Sequence, residues 1–142
     1  MGISPLATWI AITGTVSLFS LFLGAGVFFW VAGFDLIYSC QDYDFDKAHN
    51  LKNIVVKIGI AKALTLSKIA HILCLAFFLL AGLNLNLGTF YNIGLIVMAA
   101  CLIYEHRLVT PTDLSRVDLA FFTLNGYVAV SFFIFSLLEI YF

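Results

Sequence analysis

The sequence predicts an all-α integral membrane protein, with four complete transmembrane helices and a partial one at its N-terminus. Three observations carry this reading. Hydrophobic residues make up 63% of the 142 and charged ones 11%, with a mean hydropathy of +1.07, whereas soluble domains carry about 25% charged residues. The apolar residues form runs long enough to cross a bilayer, with no strand-like alternation and no low-complexity stretch among them. All seven basic residues fall between Lys47 and Arg116, a bias of the kind that orients membrane proteins.

Residues 1–34 contain no charge, and one helix of that length would reach about 51 Å at 1.5 Å per residue, too long for a hydrocarbon core of about 30 Å. The run must break, and Thr13-Gly14-Thr15 is the place for it. That leaves a short apolar piece, about 4–13, which reads as the tail of a helix rather than a span. No basic segment precedes it and no Ala-x-Ala site follows, so it is not a signal peptide. A full helix is expected over about 17–46.

A polar stretch with His49, Asn50 and the lysines at 47, 52, 57 and 62 follows. The second span is expected at about 63–83, with Ser67, Lys68 and His71 near its start. Asn84, Asn86 and Gly88 mark an uncharged turn, and a third span runs from about 89 to 104. Residues 105–118 form the second polar connection, and a Phe-rich last span, about 119–138, is interrupted at Asn125-Gly126. The two Lys/Arg-bearing connections are separated by two spans, so they share one side, which the positive-inside rule makes cytoplasmic. The turn at 84–88 and both termini carry no Lys or Arg and fall outside. Cys40, Cys74 and Cys101 stand far apart in apolar surroundings and read as buried free thiols, not as a disulfide or zinc framework.

The segment Asp35-Leu-Ile-Tyr38-Ser-Cys-Gln-Asp42-Tyr-Asp44-Phe-Asp46 places half of the eight acidic side chains at the end of a long uncharged run. At about 100° per residue, Asp35, Asp42 and Asp46 lie within roughly 40° of one another on a continuous helix, with Tyr38 beside them and Asp44 opposite. Asp42 and Asp46, about 6 Å apart, would repel by roughly 3 kcal/mol at an effective dielectric of 20. Such a stripe calls for a cation. Carboxylates without Cys or His suit a hard ion, and Mg²⁺ is usually held by one or two carboxylates with phosphate oxygens and water. A phosphorylated ligand is therefore expected. The bland alternative is a helix end whose acids are solvated or paired with Lys47 and the loop lysines.

The spacing Asp-x-x-Tyr-x-x-x-Asp-x-x-x-Asp, preceded by Trp30-Val-Ala-Gly-Phe and followed by Lys57-Ile-Gly-Ile-Ala-Lys62, closely resembles the second aspartate-rich motif of the UbiA-type intramembrane aromatic prenyltransferases. A second block, from Tyr104-Glu-His-Arg through Arg116 to Asn125-Gly126, resembles the late loop and last helix of their 4-hydroxybenzoate or menaquinone-pathway branch. The likeness covers nearly the whole chain. Family members have about nine membrane helices and a first motif of the type Asn-Asp-x-x-Asp-x-x-x-Asp, which nothing here matches. Residues 1–142 thus resemble the C-terminal half of such an enzyme.

The resemblance implies transfer of a polyprenyl group from its diphosphate to an aromatic acid in quinone biosynthesis. Asp35, Asp42 and Asp46 would hold Mg²⁺, and Lys57 and Lys62 would neutralise the diphosphate. Tyr38 and Arg116 would orient substrate, and no residue is assigned a catalytic role. Each lysine alone is explained equally well by topology and lipid headgroups. Glu105, His106, Asp113 and Arg116 form a polar segment that either closes over the site or is an ordinary capped loop. His71 reads as a packing residue, and Asn125-Gly126 as a site of close helix approach. The expected setting is the bacterial inner membrane, with the acids on the cytoplasmic side, lipid around the spans, a separately encoded N-terminal half as partner, and no nucleic acid. The rival reading is a truncated or split-gene membrane protein that serves as an assembly or binding partner without catalysing anything.

Overall fold

A computed structural model describes residues 1–142. It consists of helices, and an isolated bridge between Thr110 and Asp113 is its one extended pairing. Four helical spans are long and apolar enough to cross a membrane: Leu18–Ser39, Ile60–Asn84, Thr89–Leu108 and Leu119–Tyr141. A shorter helix precedes them. The chain is an integral membrane protein, and its architecture is that of a partial membrane bundle.

Helix α1, Ser4–Thr13, stops where the sequence predicts, with the Gly14 N–H donating to the Ile10 carbonyl at 2.8 Å. Helix α2, Leu18–Ser39, starts with a reciprocal cap. The Ser20 N–H donates to Ser17 Oγ at 3.1 Å and the Ser17 N–H to Ser20 Oγ at 3.2 Å, which satisfies donors that a helix start leaves free.

The expected continuous helix to residue 46 is not formed. Helix α2 ends at Ser39, a turn follows, and a new helix α3 covers Tyr43–Ala48. Electrostatics accounts for the break. A straight helix would stack three carboxylates on one stripe, whereas a fresh start puts Asp44 and Asp46 in a first turn, where the helix dipole favours negative charge.

Helix α4, Ile54–Ile58, meets α5, Ile60–Asn84, at Gly59. With φ +84° and ψ 155°, Gly59 holds a backbone conformation open essentially to glycine alone, so the two helices join without a loop. The second span therefore starts earlier than expected, and Lys62 lies inside its first turn. Helix α6, Thr89–Leu108, runs past the predicted end at 104. Its buried residues include Tyr91, Leu95, Met98, Leu102 and Glu105, alternating by four and three, so Glu105 completes the inward stripe instead of opening the loop.

The last span is not interrupted at Asn125. A π-helical segment, Leu119–Leu124, passes directly into α7, Asn125–Tyr141. A π-turn widens the helix and leaves carbonyls loosely paired. Asn125 Nδ2 occupies them, donating to the Phe121 carbonyl at 2.9 Å and the Ala120 carbonyl at 3.4 Å. Gly126, expected to allow close packing, would have open space around an added Cβ.

Helix α2 packs chiefly on α5, and α6 on α7. One cluster of buried residues, including Ile37, Cys40, Val55, Leu64, Leu108 and Val117, gathers the ends of α2 and α6, the short α4 and the starts of α5 and the last span. This places both Lys/Arg-bearing connections at one end of the bundle. A second cluster, with Cys74, Phe78, Tyr91, Met98 and Val128, fills its middle.

Candidate functional site

The site is built where α2 gives way to α3. In α2, Gly33 and Ile37 are buried, whereas Asp35 is exposed. Gly33 has no room for a side chain, since a Cβ there would lie 2.2 Å from the His71 ring. Its carbonyl accepts from Ser67 Oγ at 2.7 Å. This close approach of α2 to α5 turns the Asp35 face away from the bundle.

Asp42 precedes the first residue of α3 without a side-chain capping bond and is exposed, and its backbone carbonyl accepts from the Asp46 N–H at 2.8 Å. Asp46 is half-buried. Its Oδ2 accepts from Asn53 Nδ2 at 2.8 Å, while Asn53 Oδ1 accepts from the Val55 N–H at 2.9 Å and caps α4. One amide therefore ties an acid of the motif to the short helix that carries Lys57. Asp44, two positions from each neighbour, is exposed.

No lysine neutralises these acids. The single ion-pair contact within 4.0 Å anywhere in the chain is His71 Nδ1 with Glu105 Oε2, at 4.0 Å. Lys47 instead lies over the Tyr43 ring, 5.4 Å from its centroid. Lys57 shares an open concavity of about 470 Å³ with Lys52 and Asn53. Lys62 projects from the first turn of α5 and is exposed.

The three predicted acids are not brought into one metal-binding group; no set of three or more His, Cys, Asp or Glu side chains is gathered closely enough to hold an ion. The donor chemistry still fits Mg²⁺. All three are carboxylates free of lysine partners, and Mg²⁺ takes only one or two of these before completing its octahedron with phosphate and water.

Tyr38, at the other side of the α2 terminus, packs on Phe121 with the rings tilted by 31° and their centroids 4.3 Å apart. Phe34 meets the same ring edge-on at 5.3 Å, and Trp30 meets Phe34 at 5.7 Å. Trp30 Nε1 donates to Asn125 Oδ1 at 2.8 Å, which fastens the aromatic row to the last span. Arg116 is exposed on the connection just before that span and has no acidic partner within 4.0 Å. On the same connection, hydrogen bonds from Ser115 hold the Asp113 carboxyl below the usual range, with a further contribution from the Arg116 charge. Cys40, in the turn between the acids, is fully buried, and burial pushes its thiol up to about 11, in keeping with an inert free cysteine.

Glu105 and His106, expected in the polar connection over 105–118, belong to α6 instead. Glu105 is 0% exposed and neither carboxyl oxygen has a hydrogen-bond partner. His106 Nε2 and His71 Nδ1 share a hydrogen bond of 2.9 Å. His71 is a packing residue, as predicted. Sequence reasoning missed Asn53, whose signal was a cap-forming residue type directly before an apolar run. It also misplaced Glu105, whose signal was its phase with Tyr91, Met98 and Leu102.

Several known proteins are similar to this chain. A 4-hydroxybenzoate octaprenyltransferase of Chromohalobacter salexigens is 32% identical over 105 residues, 74% of this chain and 31% of the relative. Its namesake in Nitrosospira multiformis is 30% identical over 129 residues, 91% of this chain and 43% of the relative. One from Pseudomonas fluorescens is 32% identical over 92 residues, 65% of this chain and 31% of the relative. The chain thus spans well under half the length of these relatives. No solved structure matches it. The UbiA prenyltransferase family matches residues 1–137, a stretch that includes the acids, the Asn53 tie, the lysines and the aromatic row, and the chain belongs to that family.

Proposed function

We propose that this chain supplies the second acidic half of a polyprenyltransferase site, which moves a polyprenyl group from its diphosphate to 4-hydroxybenzoate or a related aromatic acid in quinone biosynthesis. The observation that carries the reading is a set of carboxylates, Asp35, Asp42 and Asp46, left without lysine partners at the basic end of a membrane bundle. The names of the relatives support the substrate class.

Asp35, Asp42 and Asp46 are the residues that would hold Mg²⁺. When bound, the ion supplies positive charge against the leaving diphosphate. Lys57 and Lys62 add mobile ammonium groups on the same side. As the allylic C–O bond breaks, the diphosphate leaves with the electron pair. A ring carbon of the aromatic acid then bonds to the allyl carbon and loses its proton. Tyr38 and the row from Trp30 to Phe121 present π-faces that favour the developing cation, and Arg116 attracts the acceptor's carboxylate.

A further acidic group must face these residues. On α2, Leu21, Phe28 and Asp35 recur every seven residues, all exposed, with Leu21 at 44% and Phe28 at 57%. This stripe is the seat for a second membrane segment bearing the Asn-Asp-x-x-Asp motif. The 142 residues alone are inactive, and the enzyme works in the bacterial inner membrane with the acids facing the cytoplasm, as the basic connections favour. A non-catalytic binding role draws its support from the lack of a gathered metal-binding group.

Binding of a prenyl diphosphate to the assembled enzyme separates the two. Asp42→Asn lowers Mg²⁺-dependent binding at least about tenfold, the effect of losing a metal ligand or its close support, whereas Asp44→Asn changes it little. Equal effects of the two substitutions contradict the assignment.

A further inference from the structure

Outside the acidic site, the groove between α5 and α6 combines two features that are hard to leave unpartnered in a membrane. At its upper part, a hollow of about 250 Å³ is lined by Lys68, His71 and His106 over an apolar floor. Lys68 lies within a membrane-spanning helix and has no carboxylate within 4.0 Å. Such a charge calls for an anion or for the headgroup layer. From Leu75 and Ala99, which also line the upper hollow, a second hollow of about 280 Å³ continues along Leu79, Leu95 and Ile96.

The dimensions identify the occupant. Lys68 to Leu79 is roughly 16 Å of helix at 1.5 Å per residue, about half of a 30 Å hydrocarbon core. The groove is therefore one leaflet deep. Its basic end lies toward the bundle end that carries both Lys/Arg-bearing connections, since α6 finishes at Leu108, two residues beyond His106. Its apolar track runs toward the middle of the membrane. A single amphiphile satisfies both parts, with a phosphate at Lys68 and His106 and one acyl chain along Leu75, Leu79 and Ile96.

We propose that the α5–α6 groove is a binding site for an anionic phospholipid of the leaflet that borders the basic connections. The His71–His106 hydrogen bond of 2.9 Å fixes the two rings against each other, so His106 meets the headgroup as an oriented ring. Basic pockets between transmembrane helices take anionic headgroups in this way. The groove holds none of the acids or lysines assigned to prenyl transfer, and the proposal stands independently of that reading.

Native mass spectrometry of the 142-residue chain in detergent tests it, with phosphatidylglycerol and phosphatidylcholine of identical acyl chains added back after delipidation. Phosphatidylglycerol is retained about fivefold more strongly, the effect of one basic residue on an anionic headgroup. Lys68→Gln reduces that preference to below about twofold, while Ala99→Leu, which fills the groove where its hollows join, weakens retention of both lipids. Lys68 is exposed, so its substitution remains informative even if Ala99→Leu fails to fold. Equal retention of the two lipids, an unchanged preference in Lys68→Gln, or displacement by millimolar inorganic phosphate would overturn the proposal. So would displacement by farnesyl diphosphate at concentrations equal to the lipid, which assigns the groove to substrate.

Discussion

Asn53 joins Asp46 to the start of the next helix: its Nδ2 donates to Asp46 Oδ2 at 2.8 Å and its Oδ1 accepts from the Val55 N–H at 2.9 Å. Both ends of one amide are in use. A side chain that only caps would leave Asp46 free to swing, and one that only grips Asp46 would leave the first turn of α4 with an open donor.

Substitution at this position separates the two tasks. Asn53→Asp keeps an oxygen for the cap but sets a second negative charge against Asp46. Amide exchange is then faster in residues 43–48 and unchanged in residues 55–58. Asn53→Ala speeds exchange in both, with a local loss of about 1–2 kcal/mol in α4. Hydrogen exchange followed by mass spectrometry reads the difference, and uniform protection in both variants would show that the tie is idle.

Gly33 sets the distance between α2 and α5, because an added Cβ meets the His71 ring at 2.2 Å. Gly33→Ala therefore destabilises the bundle by about 1–3 kcal/mol, the usual penalty of overpacking. His71→Ala in the same chain relieves most of that loss. Unfolding in mixed micelles, run as a double-mutant cycle, measures the coupling; additive effects would place the contact elsewhere.

The confinement of Lys and Arg to residues 47–116 and the shared end at which their connections meet predict the orientation. In a background without native cysteines, Lys52→Cys and Thr112→Cys are labelled from the cytoplasm and Asn86→Cys from outside by a membrane-impermeant maleimide. The reverse pattern would place the acids on the wrong side for a cytoplasmic substrate.

Much of the fold is legible in the sequence because bilayer thickness leaves few choices. The break at Gly14, the start of α2 near residue 17 and the turn before Thr89 are dictated by length and by residues that end or begin helices. The acid segment was harder to read. Helical phase alone makes Asp35, Asp42 and Asp46 one stripe, but phase says nothing of the repulsion that three stacked carboxylates create, nor of the better place that α3's first turn offers two of the acids. Glu105 misled in the opposite direction. Charge marks a helix end in most membrane spans, and here the packing stripe of α6 carries the carboxylate inward. The π-helical start of the last span follows from no local propensity. Its widened turn is supported by Asn125, whose amide also bonds Trp30 from a helix far away in sequence.

One reconstitution tests the half-site most directly. The 142-residue chain is purified alone and also co-expressed with a membrane fragment bearing the Asn-Asp-x-x-Asp motif, and each preparation is given a radiolabelled polyprenyl diphosphate, 4-hydroxybenzoate and Mg²⁺. A half-site holds neither the diphosphate in reacting geometry nor water away from the cation, so prenylated product forms only in the co-expressed assembly and disappears with Asp42→Asn. Product from the chain alone, or an inactive assembly whose two parts elute together, would contradict the claim that these residues are the second half of a prenyltransferase site.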